Sequence, residues 1–151
     1  MTKTQIIYEL AQQTANEIPD MFRKKGAGEG NRFTNQYMAR LNKAVTSMIG
    51  GSYIEQRICH PTDQSVDFFI PEESTIIEVE LSLYNVHTNL DRDIFKALIA
   101  RDAGYAISTL LLIGKEPAKE RHNQPSSRAL IDFVKRHHEL KVIIEDIMRM
   151  P

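Results

Sequence analysis

Residues 65–83 read SVDFFIPEESTIIEVELSL, and the parsing of this stretch decides the fold. SVDFFIP and STIIEVELSL are rich in β-branched and aromatic residues, and PEES between them is turn-forming, so two consecutive antiparallel strands are expected. Side chains alternate across a strand, which sends Ile76, Glu78, Glu80 and Ser82 to one face and Ile77, Val79, Leu81 and Leu83 to the other. On the preceding strand Asp67 and Phe69 point away from the side taken by Val66, Phe68 and Ile70. Register decides whether Asp67 joins the glutamates: if Ile70 pairs with Thr75, Asp67 lies directly opposite Glu78.

Directly opposed residues on antiparallel strands have Cβ atoms about 5 Å apart, and like charges there repel unless a cation sits between them. Three converging carboxylates make a hard oxygen site suited to Mg²⁺ or Mn²⁺, which would polarise a phosphate and activate water. The plainer alternative is that acidic residues at alternate positions simply mark the solvent face of an antiparallel sheet. The positively charged helix expected directly after the hairpin weighs towards a site.

Outward from the hairpin, YIEQRICH upstream reads as a strand, preceded by Gly50 and Gly51. Two helices are expected before it. The first runs from Thr4 to about Lys25, kinked or divided by Pro19, and the second from about Asn35 to Met48, capped by Asn31 or Thr34. Downstream, Asn89 or Asp91 caps a helix to Ala103 whose buried face is Ile94, Phe95, Leu98 and Ile99. The apolar strand YAISTLLLIG follows, covered on both faces. Residues 117–127 read as a loop, Ser126 or Ser127 caps the helix ALIDFVKRHHEL, and KVIIEDI closes the chain as a strand. The order is α-α-β-β-β-α-β-α-β. One α/β domain is expected over residues 1–151, with residues 1–25 a possible separate helix.

The chain has 151 residues and a formal net charge of -1, so any nucleic-acid contact must come from local patches rather than a global basic field. Cys59 is the single cysteine, which excludes an intrachain disulfide framework and a multi-cysteine zinc site and fits a reducing, cytoplasmic setting. No run approaches the roughly 20 apolar residues of a membrane span, and no membrane partner is expected. GAGEG follows a helix and lacks a Gly-Lys-Ser/Thr ending, so it reads as a connector rather than a phosphate loop. The patch Arg23, Lys24 and Lys25 either clamps DNA phosphates or complements the negative end of its helix. Adjacent His137 and His138 diverge on their helix, unlike a metal-binding pair.

The layout resembles the PD-(D/E)xK nuclease superfamily, whose α-β-β-β-α-β core carries an aspartate on the second strand and an acidic-x-lysine pair on the third. Here those positions read Asp67 and Glu78-Val79-Glu80. The departure is Glu80 where lysine is usual, and in this it is similar to the BamHI/BglII-like group of restriction endonucleases. That group also matches further on, in the polar turn, Arg-Asp-apolar-apolar-Lys helix and glycine of NLDRDIFKALIARDAGYAISTLLLIG. The resemblance spans roughly residues 51–114 and implies a restriction endonuclease-like core with a mixed sheet. It also implies that Asp67 and Glu78 bind the metal with the Val79 carbonyl, and that Glu80 acts as base or further ligand. Lys96 and Arg92, four apart on one helical flank, would supply the missing positive charge and reach a phosphate.

The expected function is thus a Mg²⁺-dependent (or Mn²⁺-dependent) endonuclease hydrolysing DNA. It would act as a homodimer, because symmetric duplex cleavage needs two centres. The alternative is a catalytically inactive nuclease-fold module for DNA binding or assembly, which the absence of the motif lysine keeps open.

Overall fold

A computed structural model of the chain describes residues 1–23, 30–82 and 86–151. Its elements are helices α1 (Lys3–Glu17) and α2 (Gly30–Ile49), strands β1 (Ile54–Gln56), β2 (Val66–Ile70) and β3 (Thr75–Glu80), and helix α3 (Val86–Asp102). Strand β4 (Thr109–Lys115), helices α4 (Ala118–Arg121) and α5 (Pro125–His138) and strand β5 (Lys141–Ile147) follow. The protein is α/β, and its five strands form one mixed sheet in the order β1-β2-β3-β4-β5. The chain divides into two compact units, residues 53–146 and residues 1–52 with 147–151.

In the smaller unit α1 packs on α2, and the Tyr37 hydroxyl donates to the Ala11 carbonyl at 2.8 Å inside a core that includes Ile7, Leu41 and Val45. Thr2 and Gln5 close a capping box at the start of α1. Gln12 and Asn16, on its exposed side, hold the backbone of Met148 and Met150. Pro19 ends the first helix rather than kinking it: Ile18 is already extended at the C-cap, and the residues from Pro19 to Arg23 form turns. Asn31 and Thr34 fall within the range of α2, Gly30–Ile49, rather than before it.

The larger unit carries the sheet. Strand β2 runs antiparallel to β1 and β3, and Ile70 pairs with Thr75, Phe69 with Ile76 and Phe68 with Ile77. Pro71–Glu73 forms a single 3-10 turn closed by Ser74 in the left-handed region at φ 50°. Strand β4 lies parallel to β3, and its Leu110, Leu111, Leu112 and Ile113 are all buried, as an interior strand covered on both faces must be. One face packs on α3 and α5 through Phe69, Ile76, Leu110, Leu112, Leu90, Ile94, Ala97, Ile131 and Val134.

Four sequence expectations are corrected here. Helix α3 begins at Val86, so Asn89 and Asp91 sit within it, and its buried stripe is Leu90, Ile94, Ala97 and Ala100. Phe95 is 64% exposed, and Leu98 and Ile99 are only partly buried, so the helix is rotated relative to the expected face. The expected loop after Pro117 contains α4, and α5 starts with Pro125 in its first turn, which leaves Ser126 and Ser127 inside the helix. Among the described residues no helix is long and apolar enough to cross a membrane.

Candidate metal centre

The pairing that joins Phe68 to Ile77 brings Asp67 opposite Glu78, and there the two carboxylates replace backbone partners. The Asp67 amide donates to Glu78 Oε1 at 2.8 Å, and the Val79 amide donates to Asp67 Oδ2 at 2.8 Å. Each carboxylate thereby satisfies a strand N–H and is fixed relative to both strands. Because the N–H and C=O of one strand residue point to the same side, the Val79 carbonyl is directed towards β2 as well.

This face is not turned to solvent. Glu78 is only 3% exposed, since α3 covers it and presents three charged side chains, the adjacent Arg92 and Asp93 and, one turn on, Lys96. Lys96 Nζ donates to Glu78 Oε2 at 2.7 Å, Arg92 Nη2 pairs with Glu80 Oε1 at 3.0 Å, and Asp93 lies between them. Asp93 Oδ1 is 3.7 Å from Arg92 Nε and 4.0 Å from Lys96 Nζ, ion-pair distances without a hydrogen bond. Both Asp93 oxygens are buried with no hydrogen-bond donor, and the residue is 0% exposed. As a carboxylic acid, Asp93 would donate its own proton to Glu80 or Glu78.

Electrostatics follow from this crowding. Burial, then the charge of Glu78, then contact with Glu80 push the Asp93 carboxyl up to about 10. Burial and the Glu78 charge raise Asp67 to about 7, against the opposing pull of the Val79 amide. Burial disfavours the Lys96 ammonium, but Glu78 beside it outweighs that, helped by Asp93 and Asp67, and keeps its pKa above the usual value.

Among the described residues, ligand atoms of Glu78, Glu80 and Asp93 all lie within 4.8 Å of one another, a set able to hold a metal ion. Asp67 is not in that set; it adjoins it through Glu78. The sequence reading placed Asp67, Glu78, Glu80, Lys96 and Arg92 together, and the structure brings all five to one place. It missed Asp93. The available signal was that Asp93 falls three residues after Leu90 and four before Ala97, inside the apolar stripe. Arg23 belongs to the smaller unit and pairs with Asp20 at 3.0 Å, while Lys24 and Lys25 lie outside the described residues.

Gly114 sets how closely the chain can close over this end of the sheet. It pairs with Glu80, and a Cβ there would stand 2.8 Å from the Ala118 Cβ and 3.2 Å from the Glu80 carbonyl oxygen. Gly114→Ala is expected to lose about 1–3 kcal/mol in urea denaturation by forcing α4 outward. Ala118→Gly in the same chain is expected to recover part of that loss. Equal losses with and without Ala118→Gly would show that the contact is relieved elsewhere.

No known protein family, curated protein or solved structure matches the chain. Fold and site define its class: an α/β protein whose sheet carries, on a helix-covered face, a buried carboxylate cluster braced by two helix cations.

Proposed function

We propose that the protein is a metal-dependent endonuclease of the restriction endonuclease-like type, hydrolysing DNA phosphodiester bonds with Mg²⁺ or Mn²⁺. The observation that carries this reading is Asp93, a fully buried carboxyl with two unmet oxygens, grouped with Glu78 and Glu80. Burying a carboxyl without a hydrogen-bond donor is costly, and a metal cation is a partner that three carboxylates can share. The donors are all hard oxygens, which fits Mg²⁺ or Mn²⁺ and not a thiolate-seeking metal. A divalent cation bound there supplies the Lewis acidity that polarises a phosphate and eases deprotonation of water.

The chain's own residues take distinct parts in this reading. Glu78, Glu80 and Asp93 hold the cation, with the Val79 carbonyl as a further oxygen. Asp67 holds Val79 and is held by Glu78, so it fixes the distance between the strands at the centre. Glu80 is the more open glutamate, with 21% side-chain exposure against 4% for Glu78, and accepts the proton of the attacking water. Lys96 and Arg92 supply the positive charge that the motif lysine would otherwise bring, and it falls where a phosphate's charge grows. A homodimer would place one such centre at each strand of a duplex.

The test is incubation of purified protein with plasmid and oligonucleotide DNA in Mg²⁺, Mn²⁺ or EDTA, beside Asp67→Ala and Glu78→Ala. Cleavage by the native chain alone, and only with metal, is the expected result. Equal cleavage by all three proteins, or none under any condition, would remove the enzyme reading.

A further inference from the structure

The end of α5 gathers an aromatic and basic patch that takes no part in the carboxylate cluster. The buried stripe of this helix is Ser127, Ile131 and Val134. Phe133 stands about 100° round the helix from Val134, and 47% of it is exposed. The His137 ring, four residues on, lies 4.8 Å from the Phe133 ring, and the His138 ring lies 5.9 Å from it, so three rings share one surface. Among the described residues no carboxylate pairs with the exposed Lys135, Arg136 or Lys141. Asp132, one turn before Arg136, is held by Arg128 at 3.0 Å, which leaves Glu139 as the single carboxylate among three cations in residues 133–141. Cations in a last turn also favour the negative end of a helix, but that accounts neither for the exposed phenylalanine nor for Lys141 beyond the helix.

The patch is fixed in place. Arg101, near the end of α3, donates to the His138 carbonyl through Nη1 and to the Ile107 carbonyl through Nη2 at 2.7 Å, which bridges the end of α5 to the approach to β4. Leu140 is fully buried, its amide donates to the Val134 carbonyl at 3.2 Å, and the Lys141 amide donates to the Ser108 carbonyl at 3.0 Å. A platform held in this way loses little freedom when a ligand settles on it. Arg101 is five residues beyond Lys96, roughly 7.5 Å of helix rise, so the end of α5 is anchored a short way along α3 from the carboxylate cluster.

We propose that this patch binds an unpaired strand of nucleic acid, with a base stacked on Phe133 beside His137 and backbone phosphates on Arg136, Lys135 and Lys141. Charge selects a polyanion, and the exposed rings select one that carries planar groups able to stack. An acidic peptide would use the cations and leave Phe133 in water. An apolar partner would have to desolvate three cations without replacing their water. A duplex keeps its bases stacked on one another, so it offers Phe133 no face except at its ends. In the nuclease reading the patch guides the strand that leads to the carboxylate cluster; that use rests on the reading, and the binding does not.

The experiment uses the full chain in EDTA, so that neither cleavage nor metal enters. Binding of a fluorescein-labelled oligothymidylate is followed by anisotropy at several salt concentrations, beside oligouridylate, a duplex, an abasic oligomer of equal length and polyglutamate. The native chain is expected to bind both unpaired oligomers, and the abasic one about tenfold more weakly. Phe133→Ala is expected to weaken oligothymidylate binding about tenfold. Arg136→Gln is expected to weaken it as well and to lower the slope of log affinity against log salt by about 0.7. The chain has no tryptophan, so Phe133→Trp introduces a single one, which is expected to keep the binding and to lose emission as a base stacks on it. Unchanged binding in Phe133→Ala and Arg136→Gln, affinity as high for the abasic oligomer, the duplex or polyglutamate, or no binding by the native chain overturns the proposal. So does a change of oligomeric state in Phe133→Ala, read by sedimentation, since a second copy would then cover this face. Failure to cleave DNA in the metal assay would remove the enzyme reading and leave these binding measurements standing.

Discussion

Replacing Lys96 with methionine is expected to cost about 3–5 kcal/mol of metal-free stability, and millimolar Mg²⁺ is expected to return most of it. Methionine keeps the length of the stem, so the packing around the 8%-exposed residue changes little. What is lost is the charge 2.7 Å from Glu78 Oε2 and 4.0 Å from Asp93 Oδ1. Glu78, Asp93 and Asp67 would then face one another under α3 with only Arg92 at the rim. A divalent cation among them would stand in for the ammonium and stabilise the variant more than the native chain. Denaturant midpoints of both proteins, with EDTA and with Mg²⁺, measure this. A variant as stable as the native protein in EDTA would mean the ion pair contributes nothing. A loss that metal does not relieve would mean the cluster holds no cation.

The same geometry explains what the sequence could and could not disclose. Alternation and turn length are local properties, so the shared face of Glu78 and Glu80 and the approach of Asp67 could be read from the residues around PEES. The strand KVIIEDI and most of the strand expected in YAISTLLLIG were legible from short β-branched and apolar runs, although β4 begins only at Thr109 and leaves residues 105–108 outside it. Whether the acidic face met solvent or a helix was not local. It depends on the return of β4 parallel to β3, with α3 as the connection between them lying over the face, and no residue of the hairpin encodes that.

Asp93 was missed for a related reason. Choosing Phe95, Leu98 and Ile99 for the buried side of α3 follows hydrophobicity alone, and it turns the helix so that Asp93 points outward. The structure instead buries the smaller Ala97 and Ala100 beside Leu90 and Ile94 and leaves Phe95 at 64% exposure. Alanines allow α3 to approach the sheet closely, and that approach brings Asp93 and Lys96 within reach of Glu78. A local conflict of this kind, a carboxyl in an apolar stripe and an exposed phenylalanine, is a departure from the packing pattern that the metal-site proposal accounts for.

Metal-free stability is expected to fall as pH rises from 5 to 8, opposite to the usual behaviour of paired carboxylates. Asp67 and Asp93 are held at about 7 and about 10 in the folded chain, above the roughly 3.9 of an unfolded aspartate. Between the unfolded and folded values the folded protein binds more protons than the unfolded one, so their contribution is full below about pH 4 and is lost as pH climbs through each folded value. Asp67 titrates within that span and Asp93 carries the slope on towards pH 10. The melting temperature should drop on the order of 10 °C between pH 5 and 8 in EDTA. Asp93→Asn, which stays neutral and keeps a donor towards Glu80 and Glu78, should flatten the slope and raise stability at pH 8. Adding Mg²⁺ to the native chain should flatten it too, because a cation then does what the protons did. A melting temperature that rises from pH 5 to 8 in EDTA would show these carboxyls ionising as ordinary surface groups do, and the buried acidic cluster would need another account of its charge.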